Sequence, residues 1–432
     1  MKKKNLFTTS RRRFLQGIGA ASLISQSPSF AHHMPHGVSQ AKAGTNPTSQ
    51  RSIVCIFLRG AADGINMVVP YADSSYSAHR PTMAMNLQDG LIKLDSSFAL
   101  HPALAALEPL YKSKKFAPIV CAGSTHGTRS HFDAQDWMEF AAPGNRTVRN
   151  GWLNRYLANT KTATSKTFRA LAIQELLPRS LRGEFPVLAV PGSATKKKTG
   201  KTLDAFERFY GDSTGMMDGA SNADDAAGVI ESGKVTIETL RRFQEIVGQS
   251  PSKSARNSGK SRSAYPASSF ANGLQQIAKV LKSGEGLEVA GIDYNGWDDH
   301  TGEGGLEGKM ATRMSDFAGS IAAFCTDLGD ELDNTTIMVM TEFGRTVREN
   351  GNNGTDHGHG SVMFVIGGDV KGGKVHGDWA GLDKKNLYQG RDLAVTTDFR
   401  DVYYSVLKNH MDYKTPKEFF PDYRPSGLKS LY

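Results

Sequence analysis

Six acidic or histidine side chains stand where short apolar runs of the sequence begin or end: Asp63, Asp298, His300, Glu342, His357 and His359. Among them, His357 and His359 are two residues apart, a spacing that can place both rings on one side of an extended chain. Carboxylate oxygens and imidazole nitrogens together suit zinc, manganese or iron, and carboxylates also suit calcium. The pattern therefore predicts a mixed nitrogen and oxygen site for a divalent metal ion.

Several of these residues also have a purely structural interpretation. Asp63 precedes Gly64, and Asp-Gly is a common turn pair, so this carboxylate could simply shape a turn. Glu342 follows an apolar run and needs a partner if it is buried, and Arg345 can be that partner. Alternatively, Arg345 holds an anionic substrate through charge-assisted hydrogen bonds. The sequence leaves both roles of Arg345 open.

Ser130 has two interpretations of its own. It precedes a helical pattern that begins at His131, with Asp133 in the position of a capping box, so it reads as a helix N-cap. The start of a helix also favours an oxyanion or phosphate, which makes Ser130 a candidate nucleophile. Thr128 is a rival for that role, and His126 and His131 could serve as metal ligands or as a base.

These residues must be positioned by five apolar runs of strand length, at 52–58, 116–121, 287–292, 335–341 and 361–366. Helical patterns alternate with the runs, at 102–114, 131–142, 229–247, 270–281 and 306–328. The alternation predicts an α/β domain with a mainly parallel or mixed central sheet and helices on both faces. In open α/β sheets ligands bind beyond the carboxyl ends of the strands, where the acidic and histidine residues converge.

The last helical pattern carries an apolar stripe at spacings of three and four residues: Met310, Met314, Phe317, Ile321 and Phe324. We expect this stripe to face the core. Residues 51–432 are predicted to form a single α/β domain with a helical insertion at about 185–285. Within the insertion, 211–228 and most of 249–264 have the small, polar or basic composition of loops.

The N-terminal residues 1–31 have the features of a secretory signal. The motif Ser-Arg-Arg-Arg-Phe-Leu at 10–15 is the twin-arginine form, and small residues near Ala31 suit a signal peptidase. We therefore expect export to the periplasm or beyond by the twin-arginine translocase, which carries proteins already folded and often loaded with a cofactor. Residues 32–50 are predicted to be a flexible mature N-terminus.

The composition of the 432 residues is that of a globular protein, with 39% hydrophobic and 22% charged residues. Residues 1–31 hold six Lys and Arg and no acid, so the formal net charge of +9 falls by six to +3 in the exported part. So small a charge does not indicate a nucleic-acid partner. No run approaches the roughly 18 apolar residues of a spanning helix, so we expect no stable membrane span.

Several stretches of the sequence resemble a known bacterial family: the twin-arginine leader, FLRGAADGINMVVPY, THGTRSHFDAQDWME, YNGWDDH, TEFGRTVRENGNNGTDHGHG and MFVIGGDVKGG. They resemble the exported domain-of-unknown-function 1501 family in order from about residue 52 to the C-terminus, with only 196–265 looking unlike it. That family is similar to a distant branch of the alkaline phosphatase and sulfatase superfamily, whose members hydrolyse or transfer phosphate and sulfate esters at one or two metals. The resemblance therefore implies an alkaline-phosphatase-like fold.

The resemblance also implies roles for individual residues. It implies one metal site with these ligands: Asp298, His300, and either His357 or His359. Asp63 matches the metal-binding acid after the first strand, and Ser130 matches the nucleophile at a helix start. Glu342 stands where that superfamily usually has Asp followed by His, but Phe343 follows here. A ligand of a second metal is therefore missing.

We therefore expect an exported, metal-dependent hydrolase of phosphate or sulfate esters, whose substrate is a small anionic ester or a polymer. A metal held by Asp298, His300 and His357 would activate the nucleophile or water. Arg345 or Arg129 would clamp the ester. The alternative is a non-catalytic exported protein that keeps a metal for stability or for polymer binding.

Overall fold

The structure is a computed structural model that describes residues 50–160, 168–192, 223–248 and 264–432. The predicted signal peptide, almost all of the predicted flexible N-terminus, and residues 211–222 and 249–263 of the insertion lie outside the described residues. Residues 223–228, whose composition predicts part of a loop, are instead the start of a helix that ends at Gly248. In the described part, no helix is both long enough and apolar enough to cross a membrane.

A mixed sheet of eight strands forms the centre of the molecule, in the order β11-β5-β10-β9-β1-β8-β6-β7. Strand β10 is antiparallel to both of its neighbours, and all other neighbouring pairs are parallel. The strands β2, β4 and β3 form a small antiparallel sheet. The bounds are β1 Ser52–Arg59, β2 Val68–Val69, β3 Ile92–Lys93, β4 Ala99–Leu100, β5 Phe116–Gly123, β6 Ala170–Ala172, β7 Leu188–Ala189, β8 Val289–Asn295, β9 Thr335–Thr341, β10 Ser361–Gly367 and β11 Thr397–Asp398.

The helices connect these strands and cover the sheet. Their bounds are α1 Gly64–Met67, α2 Tyr76–His79, α3 Glu108–Lys112, α4 His131–Phe140, α5 Trp152–Asn159, α6 Ala223–Gly248, α7 Ser269–Lys282, α8 Lys309–Leu328 and α9 Phe399–Ser405. Short 3-10 turns lie at Leu87–Asp89, Pro102–Leu107, Arg179–Leu181, Gly329–Asn334 and Lys384–Asn386, and a π turn at Val406–His410.

The central sheet is buried on both faces, as the continuous apolar run of β1 requires. Alternate residues of β1 enter two different cores: Val54, Ile56 and Leu58 on one face, and Ile53, Cys55 and Phe57 on the other. Helices α7 and α8 contribute to the first core, and α4, α5 and α9 contribute to the second. The predicted α/β class, a mixed sheet with helices on both faces, is thereby confirmed.

The predicted helices at 306–328 and 102–114 begin or divide differently from the sequence pattern. The stripe on α8 is buried throughout, but the helix begins at Lys309 rather than at 306, because Gly308 at its N-cap has a positive φ of 129°. The pattern at 102–114 becomes a 3-10 turn followed by α3. Pro109 has no N–H to continue a regular helix there.

The described parts of the predicted insertion include helices α6 and α7. Phe270 of α7 packs against Phe317 of α8, with ring centroids 6.2 Å apart. Strand β7 also lies within 185–285, where it forms the edge of the central sheet beside β6. The segment therefore contributes a strand as well as helices.

Candidate metal centre

The sheet topology brings the ends of four strands together at one edge. The carboxyl ends of β5, β8 and β9 lie at this edge, since these strands run in the same direction. Strand β10 runs the opposite way, so its amino end lies there too, and the residues just before Ser361 reach the same place. Side chains from four separate strand ends can therefore meet.

Three histidines and one aspartate converge at this edge, and we call them the histidine-aspartate cluster: His131, Asp298, His300 and His357. The Nε2 atom of His357 lies 2.9 Å from Nε2 of His131 and 3.0 Å from Nε2 of His300. Ligand atoms of His131, Asp298 and His357 all lie within 4.8 Å of one another. Donor atoms of a tetrahedral zinc site with bonds of 2.0–2.2 Å lie roughly 3.3–3.6 Å apart. The spacing therefore fits one ion with little adjustment.

The aspartate closes the same group of donor atoms. Its Oδ1 lies 3.0 Å from Nε2 of His300 and 3.1 Å from Nε2 of His357, and its Oδ2 lies 3.4 Å from Nε2 of His131. All three imidazoles therefore face the carboxylate of Asp298 through the same ring nitrogen. Three imidazoles and one carboxylate are a donor set that zinc, manganese or iron accepts, whereas calcium prefers oxygen throughout.

Each histidine of the cluster also forms a hydrogen bond through its other ring nitrogen, Nδ1. The Nδ1 acceptors are Glu342 Oε1 at 2.7 Å for His131, Asp356 Oδ1 at 3.1 Å for His300, and the Arg129 carbonyl at 2.9 Å for His357. Carboxylates and carbonyls accept hydrogen bonds, so each Nδ1 carries the proton and each Nε2 is left with its lone pair. The Nε2 atoms of His131 and His357 are 2.9 Å apart, and their lone pairs repel each other unless a proton or a metal ion lies between them. This arrangement is typical of metal-binding histidines.

The electrostatic environment differs between the ligands. The hydrogen bond and charge of Glu342 raise the pKa of His131, whereas burial and the neighbouring His131 lower the pKa of His357. Burial raises the pKa of Asp298, but the hydrogen bond and charge of Arg345 outweigh it, so that this carboxylate stays ionised. The site therefore presents a fixed negative charge beside imidazoles of unequal basicity.

Glu342 is fully buried and acts on the cluster through His131. Its Oε1 also accepts hydrogen bonds from the main-chain N–H of Gly60 and from Gln135, both at 2.9 Å. Burial by itself raises the pKa of Glu342. The hydrogen bonds from His131 and Gln135 lower it by more, so the pKa lies below its ordinary value. The structure therefore places Glu342 behind His131 rather than among the converging donor atoms.

Arg345 anchors the aspartate of the cluster. Its Nη1 donates to Asp298 Oδ1 at 2.6 Å and its Nε donates to the hydroxyl of Thr355 at 3.0 Å. The side chain is only 1% exposed. Arg345 therefore pairs with Asp298 rather than with Glu342, and its hydrogen bond and charge lower the pKa of that carboxylate.

Asp63 lies apart from the histidine-aspartate cluster. Its carboxylate is buried and forms an ion pair with Arg80 at 2.5 Å, and it also accepts from the N–H of Ile65 at the start of α1. Burial, followed by the charge of Asp63, raises the pKa of neighbouring Glu303 well above its ordinary value. An arginine thus neutralises the acid that the sequence placed among the metal ligands.

His359 also lies apart from the cluster, although His357 belongs to it. The ring of His359 is buried and stacks on Tyr388, with centroids 3.9 Å apart, and burial lowers its pKa to about 4. The chain bends at His359, so the alternation of an extended strand no longer applies to these two residues.

Ser130 lies directly before His131 and caps helix α4. Its hydroxyl accepts from the N–H of Asp133 at 3.5 Å. The carboxylate of Asp133 pairs with Arg146 instead of completing a capping box. The serine is partly exposed, at the end of α4 that carries the first ligand. Arg129, the residue before it, directs its guanidinium to Asp392.

His131 is the member of the cluster that the sequence pattern predicted only as a possible ligand or base. The usable signal was its place as the first residue of a helix that follows a buried strand, β5. Its partner Glu342 is 211 positions away in the chain, so no local spacing could connect the two.

Comparisons with known proteins identify the chain by family and find solved structures that are distantly similar to it. A family model described as "Protein of unknown function (DUF1501)" matches residues 115–418. No curated protein matches the chain. The solved structure of a phosphonate monoester hydrolase from Agrobacterium radiobacter is similar over 88% of this chain and 79% of that one, with 11% identity and a TM-score of 0.33.

Proposed function

The chain belongs to the DUF1501 family of proteins of unknown function, and from the geometry of its own residues we propose that it is an exported, metal-dependent hydrolase of phosphate or sulfate esters. The observation that carries the proposal is the convergence of three Nε2 lone pairs and one carboxylate on a single point. A divalent ion held by the histidine-aspartate cluster would supply Lewis-acid polarisation of the ester. The donor set favours zinc, manganese or iron over calcium.

The chain's own residues would orient and activate the reactants. Helix α4 begins at His131, a member of the cluster, and the positive end of the helix dipole favours an anionic group near that residue. Ser130 is the proposed nucleophile, and a water molecule is the alternative attacker. Glu342 and Arg345 hold His131 and Asp298 in place throughout.

Export rests on the sequence of residues 1–31. The twin-arginine motif at 10–15 supports passage through the twin-arginine translocase to the periplasm or beyond. That route carries folded proteins, so the metal site would form before the chain crosses the membrane.

The function is tested by elemental analysis of the full chain purified from its native host, followed by turnover of p-nitrophenyl phosphate and p-nitrophenyl sulfate. We expect about one bound ion per chain, its loss in His357→Ala, and its retention in Ser130→Ala, which should lose turnover. His79→Ala is a matched control, because its ring bonds to the Leu382 carbonyl, outside the cluster. Wild-type protein without a bound ion would contradict the proposal.

A second function, metal-dependent binding of an anionic polymer without turnover, is favoured by one observation. The hydroxyl of Ser130 already serves as a helix cap, and the Asp298 and His300 side chains are 42% and 44% exposed, which suits a bulky ligand. Retained metal with no turnover of any ester, together with metal-dependent retention on a sulfated or phosphorylated polymer, would support this function instead.

A further inference from the structure

Two arginines share one buried aspartate beside the histidine-aspartate cluster. Asp392 is fully buried, and its carboxylate accepts from Nε of Arg129 at 3.1 Å and from Nε of Arg391 at 2.8 Å. Two guanidinium groups therefore share a single carboxylate, and this group, which we call the arginine pair, carries one net positive charge.

Both arginines form hydrogen bonds with the same residue of the cluster, His357. The carbonyl of Arg129 accepts from Nδ1 of His357, and Nη2 of Arg391 donates to the main-chain carbonyl of His357. The segment that carries Arg391 and Asp392 is held to the loop after β9, since Asp392 bridges to Thr346. The positive charge is therefore fixed next to the candidate metal centre by short, direct contacts.

The arginine pair keeps donors free for a ligand. The side chains of Arg129 and Arg391 are 28% and 46% exposed, and in the described part of the chain neither Nη1 group has an acceptor. Arg345, by contrast, is buried and directs its donors to Asp298 and Thr355. Exposed guanidinium groups with free N–H donors match the geometry of phosphate and sulfate oxygens.

The charge balance of the centre leaves the arginine pair as the nearby source of net positive charge. Three carboxylates touch the cluster or belong to it: Asp298, Glu342 and Asp356. Arg345 offsets one of these charges and a divalent ion would offset the other two, so the loaded centre is neutral overall. An anionic ester is then attracted by the net charge of the arginine pair.

We propose that Arg391 and Arg129, held on Asp392, bind the phosphate or sulfate group of the substrate, and that Arg345 does not. This rests on the proposed function for the identity of the substrate. The inference adds Arg391 to the site and assigns Asp392 the role of holding both guanidinium groups in position.

The test is calorimetric titration of the metal-loaded full chain with inorganic phosphate. Removing one charge-assisted contact should weaken phosphate binding about tenfold or more, so we expect that loss in Arg391→Gln and in Arg129→Gln. Arg242→Gln is the matched control, because Arg242 is equally exposed at 46%, is also ion-paired, and lies on α6. It should bind phosphate within about twofold of wild type, and all variants should keep the metal.

Arg391→Lys separates the role of the charge from a disturbance of the fold. It keeps the positive charge beside His357 and should bind phosphate better than Arg391→Gln. Equal affinity in Arg391→Gln and Arg242→Gln, or equal losses in the Lys and Gln variants of Arg391, would overturn the inference. Absence of ester turnover would contradict the proposed function alone, because phosphate binding is measured without catalysis.

Discussion

The histidines of the histidine-aspartate cluster depend on the acceptors of their Nδ1 protons as much as on their own positions. Glu342, Asp356 and the carbonyl of Arg129 each determine which nitrogen of a ring is free. An acceptor of this kind also raises the basicity of the coordinating nitrogen. Single substitutions behind the cluster should therefore change metal binding without removing any donor atom.

Glu342→Gln tests this dependence. The amide keeps the shape of the side chain but removes the charge that raises the pKa of His131. We expect metal affinity to fall about 10-fold to 100-fold, with all four donor residues still present. Titration with Zn²⁺ against a competing chelator measures the change. Glu349→Gln is the control, since that carboxylate binds the N–H groups of Thr82 and Met83, and an equal loss there would contradict the prediction.

The loops after β8 and β9 approach each other so closely that glycine is required between them. A Cβ atom on Gly354 would lie 2.6 Å from the carbonyl carbon of His300, whereas a Cβ on Gly351 would meet nothing within 4 Å. These two glycines lie three residues apart in the loop that leads to His357. The distance between two ligands therefore depends on the missing side chain of one residue.

Gly354→Ala should separate the two loops and weaken both stability and metal binding. We expect the free energy of unfolding to fall by about 2–4 kcal/mol, since the clash is with backbone that cannot rotate away. Gly351→Ala is the matched control and should change stability by less than about 0.5 kcal/mol. Chemical denaturation of both variants, with and without Zn²⁺, measures the difference. Similar midpoints for the two would refute the close-approach explanation.

The C-terminal π turn is fastened to the first strand by a buried histidine. His410 lies with its Nε2 3.0 Å from the carbonyl of Ser52, and burial lowers its pKa from 6.5 to about 4. The unfolded chain therefore takes up this proton at a higher pH than the folded chain does. The contribution of His410 to the free energy of unfolding is complete above pH 6.5 and decreases as the pH falls towards 4.

His410→Gln should remove this part of the pH dependence. The wild-type protein should lose about 3 kcal/mol of stability between pH 6.5 and 4 through this group, because the unfolded state alone is protonated in that range. The glutamine variant should be less stable at pH 7 but lose less on acidification. Urea denaturation at about pH 7, 5.5 and 4.5 gives both curves, and parallel curves would contradict the prediction.

At the scale of the whole molecule, the central sheet and the edge that carries the candidate site could be predicted from sequence. The set of residues whose side chains converge at that edge could not. The run at 335–341 becomes strand β9 without change, because a continuous apolar segment has few alternatives to a buried strand. Asp63 and His359 illustrate the limit. Arg80 contacts Asp63, and Tyr388 contacts His359, through tertiary packing. Spacing in the sequence therefore does not show whether an acid will lie beside an arginine or beside a metal ion.

Export of the whole chain makes a separate prediction. Replacing Arg11 and Arg12 with Lys keeps the charge of residues 1–31 but changes the pair that the twin-arginine receptor reads. Folded precursor should then accumulate in the cytoplasm, as measured by cell fractionation and immunoblotting. Replacing Lys3 and Lys4 with Arg is the control and should leave export intact. Normal export of the double lysine variant would refute the assignment.

The reversed direction of strand β10 has a consequence for when an ion can be acquired. His357 reaches its place only after β10 has paired with both β5 and β9, and β5 lies more than two hundred residues earlier in the chain. A nascent polypeptide on the ribosome therefore lacks the complete set of donor atoms until strand β10 has emerged and docked. An ion in the proposed site would therefore be acquired late in biogenesis. For a chain exported in its folded state, as proposed, the identity of that ion would follow the ion pool where the sheet is completed rather than the pool at its destination.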